Sequence, residues 1–135
     1  MAKTFLKIAA VYITLGVLLG MLMGIIQDFR LASVHAHLNL LGWVSMAIFG
    51  LIYHFYPHAA ETRLAKLHFW LHNIGLPLMQ GGLAIEILSG NSAMLPLVIV
   101  SSLLVVIGVI LFTINLFLQL GSTSVKQAKN KDLPG

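Results

Sequence analysis

Apolar positions along this chain do not alternate with polar ones. They run together in four long stretches, residues 5–26, 33–56, 65–88 and 94–120, separated by short polar pieces. Apolar runs of about 20 residues, rising 1.5 Å each, match a hydrocarbon core of about 30 Å, whereas a membrane barrel would show alternating segments of about ten. The pattern predicts four membrane-spanning α-helices. The joining pieces, residues 27–32, 57–64 and 89–93, suffice only to connect antiparallel neighbours. The fold class is therefore all-α, an integral membrane four-helix up-down-up-down bundle. Residues 1–120 form its one domain, and residues 121–135, polar and closed by Pro134-Gly135, read as a short disordered tail. The first stretch follows Lys3 and Lys7 as a signal peptide would, but it is long and no small-residue cleavage pattern comes after it, so it is kept as a helix.

Composition sharpens this picture. Of 135 residues 59% are hydrophobic and 9% charged, against about 25% charged in a soluble domain. Cysteine is absent, which excludes disulfide frameworks, thiolate metal sites, iron–sulfur clusters and cysteine nucleophiles. The formal charge of +4 does not point to nucleic acid, because the basic residues lie at the ends of the apolar stretches and not along one face. Lys3, Lys7, Arg63, Lys66, Lys126, Lys129 and Lys131 fall on one side of the bundle and only Arg30 on the other. By the positive-inside rule the N- and C-termini and the middle loop are cytoplasmic, and lipid is the surrounding partner. Gly16, Gly20 and Gly24 recur every four residues, a ridge that admits a close helix either within the chain or from another copy.

Six histidines stand out in so apolar a sequence, since an ionisable side chain in lipid is costly and points to function. His35 and His37 open the second helix and point about 200° apart at 100° per residue, so one metal cannot take both from one side. Each needs its own site, or else each simply finds a hydrogen bond near the interface. Further in, His54 and His58 and then His68 and His72 form two i, i+4 pairs at the inner ends of adjacent helices. A four-imidazole metal cluster is geometrically open to them. The blander expectation is interfacial histidines bonded to headgroups or stacked on Tyr53, Tyr56, Phe69 and Trp70. His54 lies about 28 Å along the helix from the outer pair, so the two groups are separate. No phosphate loop, nucleophile elbow or zincin motif is present, and the four acids are scattered.

The run Val34-His35-Ala36-His37-Leu38-Asn39-Leu40-Leu41-Gly42-Trp43, closing with Tyr53-His54-Phe55-Tyr56-Pro57 and followed by Lys66-Leu67-His68-Phe69-Trp70, resembles helices ten and eleven of the catalytic subunit of haem–copper oxidases (cytochrome c oxidase subunit I). The likeness covers roughly residues 34–83. That subunit has twelve helices in three similar four-helix arcs, and this chain is similar to one arc. The resemblance implies a symmetric homotrimer that rebuilds the ring, a bacterial inner membrane, and haem, of b type, with His35 and His37 as iron ligands toward two neighbouring pores. Arg30 would then meet a propionate, and Asn39 and Trp43, each one turn further along, would stand beside His35. A quinone or a cytochrome is the implied redox partner. The oxidases' copper-binding histidines have no counterpart here, so enzyme activity does not follow. The function expected is bis-histidine electron transfer or another redox role. The alternatives are a minimal oxidase or nitric oxide reductase, in which the inner histidines His54, His68 and His72 hold a second metal, and a non-catalytic scaffold or haem-handling factor.

Overall fold

The computed structural model describes residues 1–131, with side chains described through residue 120. Four long helices dominate, and no strand occurs among the described residues. Helix α1, Ala2–Ile26, ends where Gln27 turns left-handed at φ 54°. Helix α2, Ala32–Phe55, is α-helical at both ends but π-helical over Leu38–Val44. A short helical turn, Pro57–Ala60, starts on Pro57, whose missing N–H costs nothing at a first helical position. Helix α3, Arg63–Ser89, is capped by Thr62, whose Oγ1 accepts from the Ala65 N–H at 3.0 Å, and stops at Gly90 with φ 66°. A 3₁₀ turn, Ser92–Met94, leads into helix α4, Leu95–Lys131.

The boundaries follow the apolar runs except at the two ends of the chain. Helix α1 begins at Ala2, and α4 runs past residue 120, where the sequence reading placed a disordered tail. No proline interrupts the chain between Pro96 and Pro134, so the backbone can stay helical after the apolar residues end.

Helices α1 and α2 pack together, as do α3 and α4. Phe5, Met46, Phe49, Tyr53, Ala65, Leu76 and Phe112 form the shared core. At the inner end Asn115 of α4 donates to the Ala59 carbonyl at 2.8 Å and accepts from the Thr62 hydroxyl at 2.8 Å, which ties α4 to the middle loop. On the outside of the bundle, large apolar side chains from every helix are exposed, among them Val17, Leu51, Leu78 and Ile107. A soluble protein does not present such a surface.

Three helical segments, Ala2–Ile26, Ala32–Phe55 and Ser92–Leu120, are long and apolar enough to cross a membrane. Helix α3 has 27 residues, but its polar side chains lower its apolar character. Their placement is inside-out. His68, His72 and Gln80 are buried in the bundle, while Leu67, Trp70, Ile74 and Ile85 face outward. The chain is a small integral-membrane helical protein.

Candidate functional site

The two outer histidines leave α2 on different sides. His35 lies in the notch that Gly16 and Gly20 make in α1: a Cβ on Gly20 would stand 2.8 Å from His35 Cε1, and one on Gly16 would meet the Asn39 amide at 2.6 Å. The glycines are therefore what lets α2 seat these polar side chains against the α1 backbone. Gly24, the third member of the ridge, meets nothing within 4 Å. The ridge thus packs within the chain at two of its three positions.

In that notch His35 Nδ1 stands 3.0 Å from the Gly16 carbonyl oxygen. A carbonyl only accepts, so the ring must carry its proton on Nδ1, and Nε2 is left with a free lone pair. Asn39 holds the same turn through its amide, which donates to the His35 carbonyl at 2.8 Å; its nitrogen also lies 3.4 Å from His35 Nδ1, but with Nδ1 protonated both are donors and that contact is not a hydrogen bond. His37 repeats the logic within α2. Its Nδ1–H donates to the Ser33 carbonyl at 2.7 Å, again leaving Nε2 unengaged. That ring borders a groove of about 390 Å³ walled by Leu41, Met79, Val105, Val109 and Ile110. Its other polar lining residue is Ser102.

The π-helical stretch begins immediately after His37. A π turn closes i→i+5 bonds, and here both the backbone N–H and the hydroxyl of Ser45 go to the Leu40 carbonyl. The wider turn breaks the even spacing expected of Asn39 and Trp43. Asn39 stays with His35, whereas Trp43 is exposed and shares no hydrogen bond or ring contact with it.

Arg30 lies in the loop between α1 and α2 with its guanidinium turned onto Asp28. Nε stands 3.0 Å from each carboxylate oxygen and a terminal nitrogen 2.6 Å from Oδ2. Hydrogen bonding from Arg30 holds the Asp28 carboxyl down at about 2, and the carboxylate in turn raises Arg30. The outer loop is thereby electrically neutral.

The inner histidines divide sharply. His54 and His58 are exposed, but His68 and His72 are 0% exposed. The interfacial expectation is corrected for these two: α3 turns that face into the bundle core because its opposite face carries the large apolar residues. Tyr53 hydroxyl and His68 Nδ1 are 3.0 Å apart, and His72 Nε2–H donates to the Leu41 carbonyl, inside the π stretch of α2, at 3.1 Å. The other nitrogen of each ring, His68 Nε2 and His72 Nδ1, is buried without a partner. Among the described residues no three His, Cys, Asp or Glu gather into a metal-binding group, so the four-imidazole cluster does not form. Glu86, one of the four scattered acids, is half-buried with Oε2 unpaired.

No protein-family model matches the chain, and neither does any curated protein or solved structure.

Proposed function

We propose that this chain is a b-type haem-binding membrane protein in which His35 and His37 supply axial iron ligands to two different haems, each shared with a neighbouring copy of the chain in a homotrimer. The observation that carries the proposal is the tautomer of the two rings. Each gives Nδ1–H to a backbone carbonyl and offers Nε2, the arrangement by which proteins orient a metal-binding imidazole and raise its basicity. Their divergence means that one iron cannot take both rings of one chain, so a second chain must complete each ligand pair.

The residues around His37 fit such a group. A groove whose walls are almost wholly aliphatic suits a flat apolar macrocycle, and its size lies within the ordinary range for small-molecule sites. Bound haem would supply a one-electron couple tuned by ligand identity and burial. Two imidazoles on one iron leave no open position for oxygen, which favours electron transfer over oxygen reduction. The neutral outer loop agrees with termini on the cytoplasmic side and α3 as the fourth span. Arg30, in the loop just before His35 and His37, is engaged by Asp28, so a propionate would have to share it with that carboxylate.

Visible absorption of the detergent-purified protein, oxidised and then dithionite-reduced, tests this. The expected result is sharp reduced α and Soret bands that disappear in His35→Ala and in His37→Ala. Colourless protein made with ample haem would remove the proposal and leave a scaffold role.

A further inference from the structure

The second pair of histidines, His68 and His72, takes no part in that proposal, yet it is the most completely built polar site in the molecule. Both rings are 0% exposed. Each is oriented by one nitrogen, His68 through Tyr53 and His72 through the Leu41 carbonyl, and each keeps one nitrogen that meets no protein partner. The spacing i, i+4 puts both on one face of α3, with ring centroids 5.8 Å apart. A buried nitrogen without a partner is unfavourable, and here two neighbouring rings each carry one.

We propose that His68 Nε2 and His72 Nδ1 form a two-coordinate site for a soft monovalent cation, Cu(I) or its analogue Ag(I), inside the bundle. Four observations converge on that chemistry. His72 donates its Nε2–H to a carbonyl, so Nδ1 presents a lone pair, and His68 does the same at Nε2 when Nδ1–H is donated to the Tyr53 oxygen. A metal–imidazole bond of about 2 Å on each side sets ring centroids on the order of 6 Å apart, close to the separation found.

Donor number and charge set the class of ion. Zinc and divalent copper or iron want four or more ligands, and among the described residues no third His or carboxylate joins the pair. Asp28 and Glu61 lie in loops, and Glu86 is 14 residues along α3 from His72, about 21 Å away. With no anion at hand among the described residues, a divalent charge would be buried uncompensated. A single positive charge suits the surroundings better, because the His68 ring is enclosed by Phe49, Phe112 and Phe5 at 4.6, 5.2 and 5.4 Å, and Phe49 also meets His72 at 5.4 Å. Phenyl rings attract a cation over their faces and carry no full charge of their own, so the enclosure tolerates one positive charge more readily than two.

The site is separate from the outer histidines, and its test keeps the two apart. The purified full chain is titrated anaerobically with Cu(I) held by a chromophoric Cu(I) chelator, and the bound metal is examined by X-ray absorption. The expected result is one equivalent per chain with two nitrogen neighbours in linear geometry. His68→Leu and His72→Leu each lose that equivalent, and His35→Ala combined with His37→Ala retains it. Because replacing a core histidine can also disturb folding, the wild-type coordination decides on its own. A sulfur neighbour, three or more light neighbours, or no uptake by protein with native helix content overturns the proposal. Retention of the equivalent by either leucine variant does so as well.

Discussion

The outer and inner histidine pairs differ by two residues of spacing, and nearly everything else about them follows. In both, one ring nitrogen of each imidazole is held in place and the other is left free. At i, i+2 on α2 the rings of His35 and His37 leave the helix on different sides, half-buried, one against α1 and one beside an apolar groove. At i, i+4 on α3 the rings of His68 and His72 stay together, wholly buried within a box of phenyl rings. Spacing on a helix thus decides whether two identical side chains part to different surroundings or share one.

The largest expected effect separates the pairs by cofactor. His37→Ala is expected to abolish haem binding, and His68→Leu combined with His72→Leu to leave it near wild type, both read from reduced spectra at equal protein. Loss in both would erase the distinction between the pairs. Stability should divide the other way. Phe49→Ala, which opens the inner aromatic box, is expected to cost about 3 kcal/mol or more, against about 1 kcal/mol for removing the His35 hydrogen bond in His35→Ala. Thermal unfolding in detergent followed by circular dichroism ranks them, and equal shifts would mean that the outer notch is as much a core as the inner box.

Gly20→Ala perturbs the outer site alone. The new methyl group would press on His35 Cε1, and disturbing a ligand's support typically weakens binding about 10–100-fold. Gly24→Ala, which meets nothing in the chain, serves as the control in the same haem titration. If Gly24→Ala has the larger effect, the ridge serves a contact between chains.

The smallest effect concerns the outer loop. The folded carboxyl of Asp28 is lowered to about 2 from 3.8 by Arg30, so folding favours its charged form. Whatever the pair adds to stability is complete above about pH 4 and is lost as pH falls toward 2. The pair is exposed and screened, so the change should be slight. Infrared titration of the Asp28 carboxylate, read against Asp28→Asn, checks the shift, and a midpoint near 4 would show that the loop does not hold.

Much of this architecture was legible because lipid demands long uninterrupted apolar runs, and the positions of α1 to α4 follow those runs closely. The divergence of His35 and His37 was legible too, since ordinary helical periodicity persists through His37. It fails just beyond. The π stretch begins at Leu38, and no local propensity announces it, so Trp43 falls outside the Asn39–His35 group that even spacing assigned it to. The burial of His68 and His72 was missed for a different reason. Spacing places two residues on one face, but which way that face turns depends on what packs against it. A signal did exist in α3 itself: Leu67, Trp70, Ile74 and Ile85 mark a lipid side, and Gly75, where a Cβ would stand 2.9 Å from the Ser101 carbonyl oxygen, marks the side where α4 comes close.

Sharing of one haem between His35 of one chain and His37 of the next can be read by mixing two variants that each fail alone. His35→Ala and His37→Ala chains are co-expressed in equal amounts under two different tags, and mixed trimers are recovered and their haem measured. Random assembly pairs an intact His35 with an intact His37 at about one interface in four, so a shared haem predicts roughly a quarter of wild-type haem in the unselected pool, against none from either variant alone. No haem in the mixture, with mixed trimers demonstrably formed, would contradict it.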